Sequence, residues 1–116
     1  MTDFKNAALA IEDEIIANRR QIHQFAEIGF DLDQTVAFVE EKLRSYGIEP
    51  ERVGKAGVSC LIGKGEETVL LLRADMDALP MREESGLPFA ADNGNCHSCG
   101  HDCHAAMLLG AAKLLK

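Results

Sequence analysis

Apolar residues recur at helical spacing through the first part of the chain. Leu9, Ile11, Ile15, Ile16, Ile22 and Phe25 line up within residues 4–25, which predicts one amphipathic helix. The stretch from Ala26 to Leu32 breaks that period at Gly29. Asp33 then offers a side-chain acceptor to the free N–H groups of a second helix. Val36, Phe38, Val39 and Leu43 give that helix an apolar face through Tyr46, and Gly47 stands just past its end, where glycine suits the turn out of a helix. After residues 48–53, a strand is expected over Val58–Ile62, a turn at Gly63–Glu66 and a second strand over Thr68–Arg73. Two strands joined by a short Gly-containing turn form a hairpin. The run from Thr68 to Arg73 is almost wholly apolar, the pattern of a strand covered on both faces by helices. A loop rich in charge, Gly and Pro occupies residues 74–95, and Ala106, Leu109, Ala112 and Leu115 mark a last helix over Cys103–Lys116.

Two or three strands are few neighbours for so apolar a segment. The expectation is therefore that these 116 residues are the N-terminal piece of a longer protein. Alone, the chain is expected to form a homo-oligomer that covers its sheet or its last helix.

Composition narrows the function. At 47% hydrophobic residues, the chain has the makings of one modest core. A net charge of -7 argues against nucleic acid, whose phosphates call for clustered Lys and Arg. Nothing approaches the ~20 apolar residues of a membrane span, and the acidic N-terminal stretch does not read as a signal peptide. A cytoplasmic protein is expected. Of four cysteines, Cys96, Cys99 and Cys103 fall within eight residues. In a reducing compartment that density points to metal or thiol chemistry rather than disulfides.

Cys96 to His104 packs three Cys and three His into nine positions. Cys99 and His101 flank Gly100; in extended backbone, residues two apart point the same way, and thiolate with imidazole suits zinc and similar divalent ions. His97 and His104 are further candidate donors. Asp75 and Asp77 close the most apolar strand, where sheet ligands collect. Asp75 or Asp102 can take the second ring N–H of a ligating histidine. Two other readings stay open: Cys96-x-x-Cys99 as a redox pair, and a metal-stabilised binding module without catalysis. Arg19, Arg20 and His23, late in the first helix, read as partners of its dipole.

Three motifs together resemble the aminoacylase/carboxypeptidase family of metal-dependent hydrolases, in the branch of hippurate hydrolases, N-acyl-amino-acid amidohydrolases and auxin-conjugate hydrolases. They are Arg19-Arg20-x-x-His23-x-x-Ala26-Glu27-x-Gly29-Phe30, the segment from Arg73 through Asp75 and Asp77 to Pro80, and His97-x-Cys99-Gly100-His101-Asp102-x-His104. The resemblance implies an α/β fold, an incomplete three-layer sandwich with helices packed on a mixed sheet. It implies a two-metal site using zinc or manganese, with Cys99 and His101 as ligands and Asp75 as the catalytic-site aspartate that supports a ligand. It implies a small N-acyl amino acid substrate, neither nucleic acid nor membrane as partner, and residues 1–116 as the N-terminal part of the metal-binding catalytic domain. The rest of that domain, with its general-base Glu, and a dimerisation domain would lie outside this chain. Ala26 stands where the family usually has Pro, Cys96 where it has Met, Ser98 where it has Ala, and Arg73 where related branches place a metal-binding His.

Overall fold

The computed structural model describes residues 2–65 and 68–116. Its elements are α1 (Phe4–Ala10), α2 (Glu12–Phe25), α3 (Asp33–Ser45), β1 (Glu51–Val53), β2 (Gly57–Ser59) and α4 (His101–Leu115). The expected first helix is thus two. Ile11 leaves helical geometry at φ −113° and ψ 17°, immediately before Glu12, Asp13 and Glu14. Three acidic residues favour the positive end of a new helix dipole over the interior of an old one.

The second helix starts at Asp33, which is its first helical residue; Leu32 holds the cap position and offers no side-chain bond. The missing cap comes from Glu27. Its carboxylate accepts the backbone N–H groups of Gln34 (3.1 Å) and Thr35 (2.7 Å) and the Thr35 hydroxyl (2.7 Å). That satisfies donors which every helix start leaves open. At the other end Gly47 takes φ +77°, and the Ile48 N–H reaches back to the Leu43 carbonyl at 2.9 Å, closing the helix as a glycine in left-handed backbone does.

The hairpin is not the one the apolar pattern suggests. β1 pairs antiparallel with β2 in the register Glu51↔Ser59, Arg52↔Val58 and Val53↔Gly57. Residues 68–73 carry no strand pairing, and the turn expected at Gly63–Glu66 lies partly outside the described residues. Val69, Leu70, Leu71 and Leu72 are 68%, 81%, 84% and 47% exposed. The physical reason is the absence of a layer to lie on. Among the described residues the sheet has two short strands, and they pair with each other. The result is an α/β chain whose helices outweigh its sheet.

The core lies between α2, α3 and α4: Ile22, Val39, Leu43, Ile48, Ala105, Leu109 and Ala112 are its buried members. α2 and α4 approach closely because Gly110 lacks a side chain. A Cβ there would stand 2.9 Å from Ile15 Cδ1. A mid-helix glycine costs about 1 kcal/mol relative to alanine, which the closer packing offsets. Two further ties place the long loop. Leu79 and Cys96 exchange both backbone hydrogen bonds (2.9 and 3.0 Å), and the Ala78 N–H donates to the Glu27 carbonyl at 2.7 Å. These bonds seat residues 75–79 beside the start of α4. Among the described residues, no helix is long and apolar enough to cross a membrane.

Candidate metal centre

Gly100 precedes α4 with φ +91°, a conformation that residues with a Cβ rarely adopt. The turn aims the first helical residues at the 75–79 segment. Cys99 lies in that turn and His101 in the helix. The extended i, i+2 geometry expected of the pair is therefore not what brings side chains together. His101 and His104 are instead three apart on a helix, where side chains are neighbours. Their rings lie 5.6 Å apart at 33°.

Asp75, His101 and His104 form a group whose ligand atoms all lie within 4.8 Å of one another. His101 Nδ1 is 3.0 Å from both the backbone oxygen and Oδ1 of Asp77. Both are acceptors, so Nδ1 carries a proton there, which in the neutral ring leaves Nε2 as the nitrogen free to ligate. Nε2 faces Asp75, 3.7 Å from Oδ2. Arg73 forms an ion pair with Asp75. A neutral imidazole whose second nitrogen is held by a carboxylate is the usual arrangement of a metal-binding histidine. The donor set of two imidazoles and a carboxylate fits a divalent ion such as zinc or manganese.

The sequence candidates are thus distributed as follows. Asp75 and His101 come together, and His104 joins them. Cys99 lies outside that group; its exposed thiol sits 3.7 Å from the Asp77 carbonyl. The carboxylate bonded to His101 is Asp77, rather than Asp75 or Asp102. Cys96 is buried, and burial followed by the charge of Glu83 pushes its thiol upward. A thiol held protonated is a poor redox nucleophile. All four cysteines are free.

Behind this group lies a buried polar network that sequence reading did not find. Asp102 is fully buried. Its Oδ2 accepts from Arg19 Nε (2.7 Å) and lies 2.8 Å from His23 Nδ1. His23 Nε2 lies 2.8 Å from Glu83 Oε1. Burial alone would raise Asp102, but His23, the Cys103 N–H and Arg19 outweigh it and hold the carboxyl below its usual range. Glu83 behaves alike: burial pushes it up, while the Ser85 hydroxyl, His23 and the Ala91 N–H bring it down to about 2. His97 lies 6.2 Å from His23 by ring centroid. It is buried with neither ring nitrogen hydrogen-bonded, and burial lowers its basicity, so it is a neutral ring.

The depressed Glu83 makes acid sensitivity predictable. Its folded-state value lies below its unfolded one, so its contribution is complete above about pH 5 and lost as pH falls toward 2. Urea unfolding of wild type and Glu83→Gln should show a stability gap of a few kcal/mol at pH 6 that narrows steadily below about pH 5. A gap independent of pH would contradict the assignment.

Residues 71–116 match Peptidase family M20/M25/M40. The chain is 44% identical to an N-acyl-L-amino acid amidohydrolase of Geobacillus stearothermophilus, over 97% of this chain and 31% of that protein. It is 44% identical to a hippurate hydrolase of Campylobacter jejuni, over 92% of this chain and 29% of that protein. A Bacillus subtilis crystal structure, described as a dinuclear metal binding peptidase from the M20 family, superposes with TM-score 0.85 at 37% identity. It covers 91% of this chain and 31% of that one. The chain thus spans less than a third of the length of these relatives, and in sequence and fold it is similar to members of peptidase family M20/M25/M40.

Proposed function

We propose that these residues are the N-terminal part of the metal-binding catalytic domain of an amidohydrolase that cleaves N-acyl amino acids or related small amides, releasing a carboxylate and an amino acid. The observation that carries this reading is the convergence of Asp75, His101 and His104, with Asp77 fixing the proton on His101 Nδ1. His101, Asp75 and His104 would hold a zinc or manganese ion. Cys99, two residues from His101, would be a further ligand. Such an ion supplies Lewis acidity toward an amide carbonyl and makes water a stronger acid. Asp77 orients the His101 ring through Nδ1, and Arg73 pairs with Asp75. The free thiols suit a cytoplasmic setting.

Both carboxylates at the group are engaged, Asp75 with Arg73 and Asp77 with His101. This leaves no free base among the described residues beside the group, so the 116-residue chain alone is inferred to bind metal without turnover. Zinc and manganese titrations of the chain by calorimetry test the first half; saturable binding abolished by chelator is the expected result. Assays with hippurate and N-acetyl amino acids test the second. Steady hydrolysis by the purified chain, lost on chelation, would sink the claim of inactivity; absence of metal binding would sink the site.

The chain is also inferred to self-associate. Val69 to Leu72 are largely exposed and border an apolar groove of about 670 Å³ against Leu108, Leu109 and Leu115 of α4. Contiguous apolar surface of this kind favours association. Sedimentation velocity at rising concentration should show species larger than the monomer. Leu70→Lys with Leu71→Lys should restore the monomer, and a wild-type monomer at high concentration would refute the idea.

A further inference from the structure

The rings of His101 and His104 are aimed by the first turn of α4, yet that turn has no side-chain cap of its own. Asp102 sits between the two histidines in sequence and points the other way, into the protein. One oxygen, Oδ2, meets both Arg19 and His23 of α2. His23 continues the chain to Glu83, and Glu83 Oε1 also accepts the Ala91 N–H at 3.0 Å. Glu83 belongs to the same 74–95 loop that carries Asp75 and Asp77. Two carboxylates face a guanidinium and an imidazole, each ring nitrogen of which lies 2.8 Å from a carboxylate oxygen. Four side chains from three separate segments therefore join the helix bearing two candidate ligands to the loop bearing the third.

We propose that Arg19, His23, Glu83 and Asp102 are positioning residues that fix α4 against the 74–95 loop, so that Asp75, His101 and His104 converge on one ion. None of the four belongs to the ligand group itself; they act through the backbone that carries it. Two features favour this over a purely stabilising role. Asp102 adjoins His101 directly, so a shift at one is transmitted to the other within a single residue. The network also spans exactly the two segments whose separation sets the 3.7 Å approach of His101 Nε2 to Asp75. Outer partners of metal ligands commonly alter affinity by about 10–100-fold.

The inference rests on the metal reading above, and its test separates the two. Cobalt(II) alone is titrated into the wild-type chain and into Asp102→Asn, Arg19→Gln and Ile22→Val, with binding read from visible absorption. Long-range 1H–15N spectra of the metal-free chains report which nitrogen of His101 carries the proton. Circular dichroism confirms that each chain is folded. Ile22→Val is the control, since it loosens the core without touching the network. The expected result is a tenfold or greater loss of cobalt affinity in Asp102→Asn and Arg19→Gln, none in the control, and mixed His101 tautomers confined to the network variants. Arg19 is partly exposed, so Arg19→Gln carries the test if Asp102→Asn does not fold. Cobalt affinity within twofold of wild type, with one unchanged His101 tautomer, would overturn the proposal. A wild-type chain that binds no cobalt would overturn the metal reading instead. The tautomer spectra then still decide the positioning role, mixed tautomers in the network variants supporting it and an unchanged one overturning it.

Discussion

Replacing Ile22 with alanine should lower the stability of the folded chain by about 2–5 kcal/mol, the range for removing three buried carbons from a packed core. Ile22 is fully buried and is the α2 member of the main core cluster, with Leu109 and Ala105 of α4 in the same cluster. The cost falls near the upper part of the range if the surroundings do not collapse. Here the backbones are already close, since Gly110 leaves no room for a Cβ against Ile15. Further collapse of α2 onto α4 is therefore resisted, and the cavity persists. Ile22→Val, which removes one carbon, should cost about 0.5–1.5 kcal/mol. Urea unfolding followed by circular dichroism measures both. An alanine variant within 0.5 kcal/mol of wild type (roughly the scatter of a neutral surface change) would mean that α2 and α4 do not pack as described.

The same helix shows where sequence reading works and where it stops. The period that marks Ile22 as apolar and inward is local, and so is the period of α3. Both helices appear within a residue or two of their expected limits at Phe25 and Ser45. The break at Ile11 was also local but was carried by charge, in Glu12 to Glu14, rather than by apolar spacing. The hairpin failed for a different reason. β1 is Glu51-Arg52-Val53, with two charged residues in three. Its place depends on Arg52 bonding Glu40 of α3 at 2.7 Å and on the turn at Gly54, φ +60°. An apolar pattern sees neither. It points instead to residues 68–73, which have apolar side chains but no pairing partner among the described residues.

The candidate site divides in the same way. Asp75 and His101, which the fold brings together, were picked out with Cys99 because donor residue types crowd into short spans, and the family motifs raise that density to a pattern; Cys99 itself stays outside the group. His104 was visible as a nearby donor but had no assigned place, because its three-residue offset from His101 matters only once both lie on a helix. Glu83 carried no signal at all. It sits in a charged loop and becomes the partner of His23, 60 positions away in sequence, only through the folds that bring α2 under that loop. Arg19 and His23 read as companions of a helix dipole because Asp102, their real partner, is 79 positions from His23.

His101 is the residue on which every reading of the metal centre converges, so His101→Ala should have the largest effect on binding. It removes the imidazole whose Nε2 faces Asp75 and whose Nδ1 is held by Asp77. Deleting an outer partner costs about 10–100-fold, and deleting the donor itself should cost at least the upper figure, about 100-fold in zinc affinity. Asp77→Asn should fall between, because an amide oxygen still accepts from Nδ1–H but lacks the charge that strengthens the bond. Two further variants divide the remaining donors. His104→Ala should weaken zinc if the group of Asp75, His101 and His104 is the ligand set. Cys99→Ser should weaken it, and remove the sulfur-to-cobalt charge-transfer band near the ultraviolet, if the thiol joins them. Zinc affinity of His101→Ala within tenfold of wild type would remove the centre from this part of the chain altogether. The geometry makes that outcome a sharp test: His101 is held at Nδ1 by the backbone oxygen and Oδ1 of Asp77 while its Nε2 faces a second carboxylate, Asp75, so an ion bound between Nε2 and Asp75 would lose one of its two nearest donors with the ring.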